Sequence, residues 1–446
     1  MLLDVREFYD DYNADVSREQ SSSFARHQAT IVALLFSGYA AQYFCRSDLS
    51  ATAPLLIADL HANGYNAAQA TLAIGMLASV GTAAYGFGKF FLSWAPDFFG
   101  GKRNFLLGML GAIVFTAVFA VGRGLPALVA AWTGNRLFQS LCWPSLVKVT
   151  SKWFAFSVYG SVMAILSLSF LAGDAVTRGA IGALIGAGFA WRTIFLLAAV
   201  ALAIVFLANL FFLKESSTGA GFGAPGVYPG NLFGAAGAQE RPQTLRALFD
   251  PLRSSKAFAI VCVLSFGTTL LREALGTWTP TFYTTIGLNA AQAAAFSALS
   301  PIAGIVSVLG AGWLSDRLGA LSRARIAFVG LALTAGSLLG LALVTSGGPV
   351  LAIALLTAAA FFNAGPYSYL AGAMALDFGG RKGAGASSGI IDGVGYIGGA
   401  MAGFGVARLA VTLGWGGAFM ALAAVTAATA LFAAVLVRVQ TREVAP

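Results

Sequence analysis

Apolar residues run for about 20 or more positions at a time along nearly the whole chain, separated by short polar joints. Twelve such runs follow one another, at roughly 30–57, 66–95, 104–122, 125–153, 158–186, 191–213, 256–286, 290–316, 325–346, 349–378, 383–412 and 415–438. As helix, each is long enough to cross about 30 Å of hydrocarbon, and the longest imply tilt or extension beyond the bilayer. The pattern predicts an all-α polytopic membrane protein with twelve transmembrane helices.

The longest polar interruption, 214–255, is rich in Gly, Pro and Ser in its first part and reads as a flexible linker. It separates a six-helix bundle at 30–213 from a second at 256–438, with short segments at 1–29 and 439–446 outside them. The halves echo each other about 220 residues apart, as a duplicated unit requires. "WAPDFFGGKRNFLLG" after the second run answers "WLSDRLGALSRARIAFVG" after the eighth, each with an acid and cations at a helix–loop–helix joint. Pro144 is matched by Pro366, and Arg46 by Arg272. Two six-helix halves related by an axis along the membrane normal is the architecture of major facilitators.

Composition agrees: 58% of residues are hydrophobic and 10% charged, against roughly a quarter charged in soluble domains. The formal charge of +9 invites a nucleic-acid partner, but its distribution excludes one. Most cations, among them Lys102, Arg103, Arg317, Arg381 and Lys382, fall on the side that holds both termini, and only Arg123, Arg192 and Arg408 fall near the other. That asymmetry sets topology and places both termini in the cytoplasm. The first 29 residues are polar and acidic, without the layout of a cleaved signal peptide. Cys45, Cys142 and Cys262 lie in apolar runs and read as packing residues. Neither histidine belongs to a metal-ligand cluster, and no nucleophile–base set shares one membrane depth. No metal, no cofactor and no enzymatic chemistry is expected.

The chemistry concentrates on charges inside the runs. An arginine at mid-membrane costs at least about 2.5–3.5 kcal/mol, so water, a partner or a substrate must offset it. In "GYAAQYFCRSD", Tyr39, Tyr43 and Arg46 follow at i, i+4 and i+7, one face of a helix. Arg272, with Glu273 beside it, repeats the logic from the second half. Two guanidiniums approaching one cavity from pseudo-symmetric helices form a receptor for a tetrahedral oxyanion or a carboxylate. Lys89, one turn after Tyr85, adds a third cation.

The stretches "GYAAQYFCRSDLSATAPLL", "YGFGKFFLSWAPD", "QSLCWPSLVKVTSKWF" and "ALDFGGRKGAGASSGIIDGVGYIGG" resemble those of the organophosphate:phosphate antiporter family of the major facilitator superfamily, in order over residues 30–438. The resemblance implies alternating access in a monomeric carrier. It also implies that Arg46 and Arg272 bind an anionic group, with Lys89, Tyr39, Tyr43 and Tyr396 in the pocket. Trp143 in the fourth helix joins the candidate substrate ligands. Asp97, Asp316 and Arg317 match the loop signature that gates such carriers, although Phe98 stands where an arginine is usual.

Three departures bear on substrate. Ser169, a candidate substrate ligand by its position, stands where the bacterial glycerol-phosphate exchangers carry a histidine, and Asp174 stands where a glycine is usual. Asp392 adds an acid to the eleventh helix. Asp174 has Arg178 one turn on, the spacing of an intrahelical pair, and Arg136 lies in the fourth helix among Trp132, Gln139 and Trp143. These acids are either neutralised by neighbouring cations or act as a proton site or a ligand for a cationic group. The sequence therefore predicts a secondary transporter of a small, phosphorylated organic anion, coupled to inorganic phosphate or proton, in a bacterial inner membrane. A proton-coupled carrier of a carboxylate or zwitterion, or a transporter-like membrane sensor, are the alternatives.

Overall fold

A computed structural model describes residues 5–92, 95–154, 156–223, 255–318, 322–343, 348–370 and 374–444. Helices account for most of the described residues. Span 1 comprises Val5–Ala41, a 3-10 turn Gln42–Cys45, and the short helices Asp48–Ala51 and Ala53–Ala62. Span 2 is Ala67–Leu92, span 3 Gly101–Val121, and span 4 the pair Leu125–Gln139 and Cys142–Ser151. Spans 5 and 6 are Phe156–Gly186 and Trp191–Phe212. In the second half, span 7 is Lys256–Thr285, and span 8 runs through Ala290–Ser297 and Leu299–Leu318. Spans 9 and 10 are Ser322–Leu343 and Pro349–Tyr369.

Spans 11 and 12 share one helical stretch, Ala375–Val444. Straight, it would place Ile391 and Leu436 about 68 Å apart. Both instead belong to one core cluster with Leu264 and Val261 of span 7, so the chain doubles back between them. The reversal is at Gly414, whose φ of 71° lies in the left-handed region that a side chain disfavours. Among the described residues nine helices are long and apolar enough to cross a bilayer, one of them this double stretch. Spans 1 and 4, whose apolar runs are broken, complete the twelve.

Pseudo-symmetry is visible in the turns. On the side opposite the termini, Gly64, Gly124 and Gly188 carry positive φ in the first half, and Gly287, Gly348 and Gly414 in the second, each pair about 225 residues apart. The halves close on one another on that side. Span 5 meets span 8 so tightly at Gly182 that a Cβ there would lie 2.8 Å from the backbone nitrogen of Ala295.

Two breaks have local causes. Span 4 parts after Gln139 because Pro144 lacks an N–H and its ring crowds the carbonyl four residues back, at Ser140. Span 1 was expected as one helix, but it unwinds from Gln42 to Ser47, and Arg46 itself sits at φ −125°, ψ −44°. A carbonyl freed in hydrocarbon needs a donor, and Gln139 Nε2 supplies one to Cys45 O at 2.8 Å. The one-face geometry inferred for Tyr39, Tyr43 and Arg46 is thus replaced by a turn that aims Arg46 inward.

The start of the linker is structured rather than flexible. Residues 214–223 include the turn Thr218–Ala220, and Phe222 packs on Phe24, His27 and Trp153 at ring distances of 5.1, 5.0 and 6.5 Å. The linker residues 224–254 lie outside the described ones.

Candidate functional site

Between the halves lies a cavity of ≈ 160 Å³. Span 1 brings Tyr43, Arg46, Ser47 and Ser50 to it, span 4 Trp132 and Arg136, and span 5 Phe170, Asp174 and Arg178. Span 7 contributes Arg272 and Glu273, and span 10 Asn363 and Tyr367. Both arginines singled out by the internal repeat therefore face the same space, one from each half.

Their electrostatic settings differ. Arg272 lies over the Tyr367 ring, with Cζ 4.8 Å from its centroid, and its Nη2 is 2.5 Å from Glu273 Oε1. Arg46 lies between rings, 4.4 Å from Tyr85 and 5.3 Å from Tyr43. Arg136 is 5.0 Å from Tyr85 on the same wall, only 3% exposed, and its Nη1 has no hydrogen-bond partner. Among the described residues neither Arg46 nor Arg136 has a carboxylate within ion-pair distance. Tyr85 is the common platform: Lys89 Nζ is also 5.4 Å from its centroid, and cations favour an aromatic face.

The remaining charges are paired. Arg178 Nε donates to Asp174 Oδ1 at 2.8 Å within span 5, the pair expected from spacing. Asp174 also accepts from Ser47 Oγ at 2.5 Å. Lys89 Nζ meets Asp392 Oδ2 at 3.2 Å, joining span 2 to span 11, so Lys89 is not a free third cation of the cavity. Tyr396 packs edge-on against Tyr85 at 5.2 Å. Tyr39 and Trp143 pack against each other, their rings tilted by 58° at 5.2 Å, and neither lines the cavity. Ser169 is fully buried and donates to Leu166 O in its own helix, away from the cavity surface.

The residues that match the family's loop signature, Asp97, Asp316 and Arg317, fall at the joints after spans 2 and 8. Arg317 is exposed and stacks over Trp313 at 4.2 Å. Asp97 and Asp316 fall in helices whose side chains there lie outside the described ones, as do those of Arg381 and Lys382. Glu215, just past span 6, accepts from the backbone N–H of Gly101 at 2.9 Å and of Lys102 at 2.6 Å, and pairs with Lys152 Nζ at 2.5 Å. A carboxylate there caps the start of span 3 and favours its dipole.

Sequence reasoning missed Tyr85, Tyr367 and Asn363 as site residues, and it missed Asp48. Asp48 is fully buried and its Oδ2 has no partner, although it lies within electrostatic range of Arg136. Its position two residues after Arg46 was the available signal.

A sequence model of the Major Facilitator Superfamily matches residues 35–403. The chain is 25% identical over 423 residues to "Glycerol-3-phosphate transporter" of Bacillus subtilis (strain 168), covering 91% of each chain. It is 26% identical over 424 residues to "Probable hexose phosphate transport protein" of Chlamydia muridarum (strain MoPn / Nigg), covering 89% of this chain and 88% of that one. Identity to "Membrane sensor protein UhpC" of Escherichia coli (strain K12) is 23% over 422 residues, 92% of each. Among solved structures, a D-xylose-proton symporter superposes with a TM-score of 0.71 at 13% identity, covering 91% of this chain and 96% of that one. The twelve spans, the inter-half cavity and these likenesses lead to one conclusion: the chain belongs to the major facilitator superfamily, a family of membrane transporters.

Proposed function

We propose that the chain carries a small phosphorylated organic anion across a bacterial inner membrane by alternating access, as a monomer with both termini in the cytoplasm. One observation carries this reading. Among the described residues, Arg46 and Arg136 face the inter-half cavity with no acid at ion-pair distance, and a guanidinium kept there favours a counter-anion in contact with it. Their planar donor forks match the oxygens of a phosphoryl group. Arg272 reaches the same cavity from the other half, so an anion held between them draws the halves together. The relatives named for glycerol-3-phosphate and hexose phosphate support the phosphoryl group over a plain carboxylate. Inorganic phosphate or a proton is the coupling ion.

The relative named as a membrane sensor supports a second reading, in which ligand binds and no flux follows. One experiment separates them. Purified protein is screened by thermal shift against phosphorylated, phosphonate and carboxylate metabolites, and its hits are tested for flux in proteoliposomes. Stabilisation by phosphorylated compounds with flux supports transport, and stabilisation without flux supports the sensor. Stabilisation by carboxylates alone overturns the substrate class.

A further inference from the structure

We infer that Glu273 is the cavity's built-in counter-anion, so that the carrier reorients without cargo and performs net transport instead of one-for-one exchange. This rests on the anion-transport reading above and concerns its mode. Neighbouring residues on a helix point about 100° apart, so a pair at i and i+1 forms only when both side chains turn into a common space. For Arg272 and Glu273 that space is the cavity, where Oε1 and Nη2 stand 2.5 Å apart. The Glu273 side chain is 14% exposed, open to the chamber rather than sealed in packing. An entering phosphoryl group reaches the same guanidinium and competes with the carboxylate for it.

Glu273 also lies within electrostatic range of Arg46, Arg136 and Arg178. Arg178 has Asp174, so Glu273 is the one acid shared among Arg272, Arg46 and Arg136 when no anion is bound. The wider set of charges gathered here comprises Lys89, Arg46, Arg136, Arg178 and Arg272 against Asp174, Glu273 and Asp392, two units from balance. Repulsion among uncompensated cations is what forbids an empty carrier to close, and here the chain's own acids remove most of it.

The other acids are committed elsewhere. Asp174 is held by Arg178 and Ser47, Asp392 is held by Lys89 from the other half, and Asp48 is fully buried outside the cavity lining. Glu273 alone is poised at an arginine that the substrate needs, able to leave it and return.

The test uses full-length protein in liposomes, with potassium and valinomycin clamping the potential at zero. Uptake of radiolabelled glycerol-3-phosphate and inorganic phosphate is followed into vesicles with or without internal phosphate. The wild type is expected to fill phosphate-free vesicles, and E273Q to lower the ratio of net uptake to exchange by about tenfold or more, with E273D retaining it. Wild-type exchange without net uptake, or an unchanged ratio in E273Q, overturns the inference while leaving anion transport intact. Loss of exchange together with net flux in both E273Q and E273A also overturns it, because the carboxylate is then needed for handling cargo itself. Absence of both binding and flux in the wild type is a different failure, that of the transport reading.

Discussion

Arg178 of span 5 donates through Nη2 to the carbonyl oxygen of Gly276 in span 7, 2.9 Å away, and so ties one half of the molecule to the other. Its Nη1 reaches Ser50 Oγ and Ser297 Oγ, each at 3.2 Å, while Asp174 fixes its Nε. Ser50 Oγ donates to the same Gly276 carbonyl at 2.6 Å. The cluster lies between the cavity and the turns opposite the termini, where it acts as a latch on that side. An arginine 5% exposed and paired within its own helix is held ready for these three contacts.

Breaking this latch should favour opening on the side opposite the termini. Removing one partner of a buried pair costs about 3–5 kcal/mol, so R178Q is expected to lower Tm clearly. A cysteine introduced by S300C in the cavity wall should then react faster with an impermeant maleimide applied from that side. R178K, which keeps the charge but loses the planar fork, should fall between wild type and R178Q. Equal labelling in all three would remove the latch assignment.

Arg46 and Arg136 should matter more to anion affinity than their neighbours, because neither has a carboxylate of its own. Truncating one member of a buried charged contact costs about 2 kcal/mol or more, roughly thirtyfold in Kd. R46Q and R136Q are each expected to cut the thermal stabilisation that a phosphorylated ligand gives the wild type at about 100 Kd from near 2.7 kcal/mol to about 1 kcal/mol. R272Q should weaken it less, since Glu273 already occupies part of that guanidinium. Equal losses in all three variants would show that the cavity is symmetric in use despite its asymmetric pairing.

The sequence carried the architecture because each span must bury about 20 apolar residues, and that demand leaves a pattern which no side-chain detail can erase. The convergence of Arg46 and Arg272 was legible through the internal repeat, and the Asp174–Arg178 pair through its four-residue spacing. The Lys89–Asp392 pair was not, because it joins positions 303 residues apart whose partnership depends on how spans 2 and 11 cross. The unwinding at Gln42–Cys45 was hidden for a related reason. Its cause is partly Gln139 on another span, which satisfies the freed carbonyl. Ser169 shows the opposite error: a position chosen by likeness to a family motif, whose side chain here turns back onto its own helix.

Lys89 and Asp392 should behave as a coupled pair. Their side chains are 19% and 24% exposed, so the pair is neither fully dry nor freely solvated. K89A leaves Asp392 without its ammonium and D392A leaves Lys89 without its carboxylate, and the double variant should be destabilised less than the sum of the two single variants. A double-mutant cycle on Tm should return a coupling of about 0.5–3 kcal/mol. A coupling indistinguishable from zero would mean that the contact across spans 2 and 11 contributes nothing to holding the halves together.

Glu215 should give the face near the termini an acid-sensitive joint. Partial burial alone would raise its carboxyl, but the Lys152 ammonium and the backbone N–H groups of Lys102 and Gly101 outweigh that and hold it below the ordinary glutamate value. A group whose pKa is depressed on folding stabilises the folded state above its unfolded pKa, about 4.3 for glutamate, and loses that contribution as pH falls through the lower folded value. The stabilisation is therefore complete at neutral pH and fades only as acid protonates Glu215 in place. Once protonated, it can no longer pair with Lys152, and the start of span 3 loses its anionic cap. E215Q should lower Tm at pH 7 by a small margin, because the side chain is 34% exposed and its charge is screened by solvent. The difference between E215Q and wild type should shrink as the pH is lowered toward 4 and below. A gap that stays constant across that range would show that Glu215 acts through shape and hydrogen bonding alone, with its charge contributing nothing.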